Sequence, residues 1–167
     1  MKLSINCEQT VTIVVNIIFL FCGIISTMKH TFEQKVFFAD TDAYSVVWHG
    51  TYLRWMEAGR IMWCDETGHS MSALREQDIA LPVVNINIRY KSSAKLDDVV
   101  VIETWLEKYS SLSATFKQII KSKETGKIFT TAEVDVVAVH NDGKLYRKLP
   151  EILTQTFERT IECPQLV

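Results

Sequence analysis

The chain has 167 residues, 47% of them hydrophobic and 23% charged, which fits one globular domain able to bury a core without covalent staples. A formal net charge of −2 gives no general attraction to nucleic acid, and no basic helix, zinc-finger spacing or basic–aromatic ribonucleoprotein motif is present. Cys7, Cys22, Cys64 and Cys163 form no C-x-x-C pair and no regular framework, so free thiols in a reducing compartment are expected.

Residues 1–27 differ from the rest. Val11 to Ile25 is almost wholly apolar, shorter than the ~20 residues of a spanning helix and closer to a signal-like hydrophobic region. Met28 begins MKHTFEQKVFF, a natural cytosolic start. The expectation is a domain over 28–160, a tail over 161–167 and a cytoplasmic protein. Membrane contact then falls to residues 11–25 alone, if they are retained in the mature chain.

His30 to Ala39 reads as a strand. Thr51 to Glu66 reads as a helix whose apolar face carries Tyr52, Met56, Gly59 and Trp63, closed by Gly68. Ala58 and Gly59 cost helix propensity and make sense where a sheet approaches the helix closely. Ser70 to Gln77 reads as a short helix. Four strands follow: Ile79–Tyr90, Val99–Tyr109, Leu112–Lys121 and Lys127–His140. Ile79–Tyr90 in its second half, Val99–Tyr109 and Leu112–Lys121 alternate between two sets of residues, and Glu124-Thr125-Gly126 marks a hairpin before Lys127–His140. Glu151 to Phe157, after Pro150, closes the chain as a helix. One long helix and consecutive antiparallel strands predict an α+β domain, a curved sheet around one central helix, as in the hotdog fold.

The chemistry concentrates between the first strand and the helix. Asp40 and Asp42 lie in a polar loop, Val46-Val47-Trp48 follows, and His49-Gly50 leads into the helix. Free N–H groups at a helix start can stabilise developing negative charge, and a nearby carboxylate can serve as base or nucleophile. An isolated loop aspartate is more often a turn or cap residue. Asp40 reads that way, with its side chain bonded to loop backbone. Glu57 has Arg54 and Arg60 at three-residue spacing, which suits an ion pair. His69 reads as a surface residue. Asp42, His49 and His69 show no metal-ligand spacing, and no metal or cofactor is expected.

The strings Asp40-Thr41-Asp42-Ala43, Val46-Val47-Trp48-His49 and Tyr52-Leu53-Arg54-Trp55, with Glu57, resemble the 4-hydroxybenzoyl-CoA thioesterase family of hotdog proteins. Weaker likeness continues through Arg89-Tyr90, Ala94-Lys95-Leu96-Asp97-Asp98 and Leu149-Pro150, covering about residues 30 to 155. The resemblance implies hydrolysis of a short-chain or aromatic acyl-CoA. Asp42 would be base or nucleophile, and the His49 backbone N–H the oxyanion donor. The His49 ring would lie near the acid or orient substrate, with Glu57 the reserve acid. Tyr44, Trp48 and Tyr52 would bind substrate. Coenzyme A phosphates call for cations, and two clusters offer them: Arg89, Lys91 and Lys95, or Lys144, Arg147 and Lys148. The resemblance also implies a homodimer or homotetramer with sites at the subunit junction. Three alternatives stay open: an acyl-carrier-protein thioesterase, a 1,4-dihydroxy-2-naphthoyl-CoA thioesterase, and a non-catalytic acyl-CoA-binding module. The chain departs from the family at Tyr44-Ser45, where glycine commonly precedes the two valines.

Overall fold

The computed structural model describes residues 28–162; the apolar segment 11–25 and residues 163–167 lie outside them. The elements are β1 (Lys29–Lys35), α1 (His49–Glu66), α2 (Met71–Glu76), β2 (Val83–Tyr90), β3 (Val99–Tyr109), β4 (Ser113–Ser122), β5 (Ile128–Val137) and α3 (Glu151–Glu162). The five strands form one sheet in the order β1-β3-β4-β5-β2, and every pairing is antiparallel. The expected α+β architecture is therefore present, with α1 packed against β1, β3 and β4. No described helix is long and apolar enough to cross a membrane.

Several boundaries shift for identifiable reasons. β1 stops at Lys35 rather than Ala39 because Phe38–Asp40 winds into a short 3-10 turn. β2 starts at Val83 rather than Ile79: proline lacks a ladder N–H, and Pro82 separates β2 from an isolated Ala80–Val139 bridge. β5 ends at Val137 instead of His140, and α3 runs to Glu162, so residues 161 and 162 belong to a helix rather than a tail.

The predicted apolar face of α1 is buried: Tyr52, Met56, Gly59 and Trp63 all lie inside. Under its first half sit Val36, Val100, Ile102, Ile120 and Val134. Under its second half sit Leu106, Phe116, Leu153 and Phe157. Between the two clusters the backbone of α1 meets a buried polar knot. Gln118 is fully buried; its Nε2 donates to the Met56 carbonyl at 2.7 Å and to Thr104 Oγ1 at 2.8 Å. Its Oε1 accepts from Arg60 at 2.8 Å. A Cβ on Gly59 would lie 2.5 Å from Thr104 Oγ1, so the small residue expected there is required by close approach.

Cys64 is buried, and burial, helped by Asp65, pushes its thiol up to about 12, in keeping with a core residue. His69 departs from its expected surface place. It is half-buried, with Nε2 2.5 Å from Thr156 Oγ1 on α3. Burial, then Arg159, hold its imidazole below the usual range.

β2 departs most from its pattern. Its alternation predicts one buried face, yet only Ile88 is even half-buried. The strand lies at the sheet edge, and none of the described helices buries it.

Candidate active site

The site begins where β1 leaves the sheet. Asp40 is 4% exposed. Its Oδ2 accepts the Phe37 N–H at 2.9 Å, its Oδ1 pairs with the Arg54 guanidinium, and its carbonyl accepts the Trp48 N–H at 2.9 Å. The Asp40 carboxylate thus ties the turn to the first turns of α1, and its backbone carbonyl ties in the loop end, the supporting role expected of Asp40.

The segment between is closed by a Thr41–Val47 bridge. The Asp42 N–H donates to Val46 O at 2.9 Å, and the Ser45 N–H to Asp42 O at 3.0 Å. The Tyr44 N–H donates to Asp42 Oδ1 at 2.8 Å. Ser45 has φ +60, the left-handed region that favours glycine. The family's usual glycine at this point therefore has a backbone reason, and serine adopts the same conformation. A Val46–Lys95 bridge and a 2.9 Å bond from the Val47 N–H to Ala94 O anchor the loop to the turn before β3.

Trp48 caps α1 without a side-chain bond. The Thr51 N–H returns to Trp48 O, whereas the N–H groups of His49 and Gly50 meet no carbonyl among the described residues. These are the donors a helix start leaves open. The Trp48 ring folds back over Gly50, where a Cβ would fall 2.3 Å from it. The exposed His49 ring sits 5.0 Å from the Trp48 ring and 6.4 Å, edge on, from Tyr90. It makes no hydrogen bond to Asp42 or to any other described residue. Tyr90 donates its hydroxyl to the His49 carbonyl at 3.1 Å.

These parts surround one pocket of about 290 Å³, lined by Asp42, His49, Tyr52, Tyr90 and Lys91 among others. Asp42 Oδ2 has no hydrogen-bond partner among the described residues. Tyr52 is almost fully buried and accepts the Ala94 N–H at 2.9 Å. Burial raises the Tyr52 and Tyr90 hydroxyls above their ordinary range, so both present neutral phenols to the pocket. A larger cleft of about 390 Å³ lies by Leu74, Ile79 and His140. The smaller pocket is the candidate because it joins a carboxylate with an unbonded oxygen to the open N–H groups at the start of α1.

The other expected site residues scatter. Tyr44 is 87% exposed and Trp48 51%, and neither lines this pocket. Glu57 stands eight residues along α1 from His49, about 12 Å away, in a separate cleft with Arg60, Cys64 and Phe116. Its expected ion pair is absent: Arg54 turns to Asp40 and Arg60 to Gln118. Glu57 reaches Arg60 only through space, opposing the fall that burial imposes on that guanidinium. Arg89 lines a shallow cleft with Asn87, Lys117 and Glu133. Lys91 reaches the pocket, and Lys95 adjoins it through the Val46 bridge. Lys144, Arg147 and Lys148 follow the far end of β5. That ten-residue strand spans about 30 Å from its start, where the Lys91 N–H donates to Phe129 O. Val46, Val47, Tyr90, Ser92 and Ser93 also line the pocket and were left out of the site by sequence reasoning, Tyr90 the aromatic one among them. Its aromatic end to an alternating strand was the available signal, but its partner lies 41 residues away.

Comparison with known proteins supplies context for this geometry. The family model described as thioesterase-like superfamily matches residues 36–158. The acyl-CoA thioester hydrolase YbgC of Escherichia coli O6:H1 is 30% identical over 134 residues, covering 80% of this chain and 99% of that protein. A putative esterase of Synechocystis sp. is 31% identical over 116 residues, covering 69% of this chain and 70% of that protein. Among solved structures, the DHNA-CoA thioesterase from Staphylococcus aureus aligns with a TM-score of 0.71 at 27% identity, covering 78% of this chain and 89% of that one.

Proposed function

Since the chain belongs to the thioesterase-like superfamily and is a hotdog-fold thioester hydrolase acting on acyl-CoA, we propose that its substrate is a short-chain or aromatic acyl-CoA. The products are the free acid and coenzyme A. Asp42 acts as base or nucleophile at the thioester carbonyl, and the His49 backbone N–H at the start of α1 receives the developing oxyanion. The observation that carries this reading is a single pocket lined both by Asp42, whose Oδ2 has no partner among the described residues, and by His49, whose N–H is open at the start of α1. Lys91, with Lys95 beside it, is suited to the coenzyme A phosphates. Both phenols, neutral and hydrogen-bonding, suit a polar or aromatic acyl group. The 27% identity to a DHNA-CoA thioesterase favours the aromatic end of this range. The reaction needs no metal or cofactor, and its coenzyme A substrate suits a cytoplasmic enzyme.

The test is a panel of acetyl- to decanoyl-CoA, benzoyl-CoA, 4-hydroxybenzoyl-CoA, 1,4-dihydroxy-2-naphthoyl-CoA and an acyl-carrier-protein thioester, read by thiol release. Turnover of a short or aromatic acyl-CoA is expected. Preference for the carrier-protein thioester, or binding without hydrolysis, overturns the assignment.

The exposed edge of β2, with apolar Val83, Val84 and Ile86 at its surface, calls for cover. A free edge is a template for pairing, and a second copy removes it. Light scattering should therefore give a mass of at least two chains. A monomer at micromolar concentration would sink this part of the reading.

A further inference from the structure

We propose that the two oxygens of Asp42 have separate tasks, Oδ2 reacting while the Tyr44 backbone N–H holds Oδ1 and aims the carboxylate. This rests on the catalytic reading of Asp42 given above. Oδ1 accepts the Tyr44 N–H at 2.8 Å; Oδ2 has no partner among the described residues, and Asp42 lines the pocket. A carboxylate held at one oxygen cannot spin freely about its last torsion, so the other is presented in one direction.

The turn is built to supply that N–H. The Asp42 N–H and carbonyl are both engaged, by Val46 O and by the Ser45 N–H. That leaves the side chain as the acceptor for Tyr44. Ser45 takes φ +60, a conformation that costs an L-residue energy and concentrates at functional sites. The tightness that this cost maintains keeps the Tyr44 N–H folded back on Oδ1. The Tyr44 side chain is 87% exposed, so it is the backbone of Tyr44 that acts, as a positioning group.

The step balances in either role of the acid. As base, Oδ2 takes a proton from water while the water oxygen bonds to the carbonyl carbon. The C–S bond then breaks with its electron pair on sulfur, and the proton passes from Oδ2 to that thiolate. As nucleophile, Oδ2 itself bonds to the carbonyl carbon and the thiolate leaves. Water then adds to the mixed anhydride, restoring the carboxylate and releasing the acid, and the proton goes to the thiolate. Both need one oxygen aimed and one held.

The experiment replaces a single backbone N–H by an ester oxygen in the full chain, at Tyr44 and, separately, at Gly143, whose N–H donates to His140 O at 2.8 Å in a turn away from Asp42. Both changes remove one hydrogen bond from a turn, but only the first touches the carboxylate. The Tyr44 ester should lower kcat about 10- to 100-fold, the scale of a misaimed reacting group, with KM within about threefold. The Gly143 ester should keep kcat within about threefold. Equal losses in both, or no loss at Tyr44, overturn the proposal. If Asp42→Asn also retains turnover, the catalytic reading falls with it. If Asp42→Asn is inactive while the Tyr44 ester is not, only the positioning role is lost.

Discussion

Replacing Asp42 by asparagine lowers kcat for acyl-CoA hydrolysis by about 10²- to 10⁴-fold, the range that a positioned acid or base contributes, and leaves the fold intact. Asparagine keeps a carbonyl oxygen where Oδ1 accepts the Tyr44 N–H, so the turn retains its bond. The reacting position becomes an amide that neither takes a proton nor attacks a carbonyl. Alanine removes both functions. Asp42→Ala should therefore match the activity loss and also destabilise the chain by about 1 kcal/mol, the usual net worth of one such bond. For a chain of this length that is about 2–4 °C in Tm. Steady-state hydrolysis paired with thermal melts of both variants reads the two effects separately. Turnover by Asp42→Asn within tenfold of the wild type would remove Asp42 from the chemistry.

Gly59→Ala should destabilise the protein by about 2 kcal/mol, because the new methyl has nowhere to go. Its Cβ would stand 2.5 Å from Thr104 Oγ1 and 3.3 Å from Gln118 Nε2, and both residues are fully buried. Overpacking of this kind costs about 1–3 kcal/mol. Pushing Thr104 aside also loosens the Gln118 Nε2 bond to its hydroxyl at 2.8 Å, a further loss of about 1 kcal/mol. Better helix propensity returns up to about 1 kcal/mol. The net effect is a fall of about 4–8 °C in Tm. The knot is one unit, so the changes should not add. Thr104→Ala removes the clashing oxygen, and the double variant should be more stable than the sum of the single losses implies. Additive losses would show that Gly59 does not answer to Thr104.

Local patterns made most of this readable. The i, i+4 face of α1 and the period-two strands β3 and β4 each bury the residues that their spacing predicts. The supporting role of Asp40 also follows from type and place, since a short acid in a tight loop bonds backbone. What escaped is non-local. Three-residue spacing offered Arg54 and Arg60 to Glu57, but Arg54 pairs 14 residues back with Asp40 and Arg60 58 residues on with Gln118. The two basic clusters looked equivalent in the chain, and only the length and direction of β5 separate them. β2 alternates like a half-buried strand, and spacing alone does not say that it lies at the edge of the sheet with its residues exposed.

The left-handed backbone at Ser45 bears on how freely this loop can change over evolutionary time. Glycine there would remove a conformational cost of about 1–2 kcal/mol. Against that, glycine costs about 0.4–1 kcal/mol through the greater entropy of the unfolded chain. The difference, about 1 kcal/mol, is small against a typical total stability of about 5–15 kcal/mol. Serine and glycine are then close to interchangeable for folding, so drift between them crosses no stability threshold. A β-branched residue has no such freedom, because the same φ crowds its side chain. The loop that carries Asp42 is thus open to exchange at Ser45 among small residues and closed to large rigid ones. Selection can reach the neighbouring Tyr44 side chain without first repairing the turn beneath it.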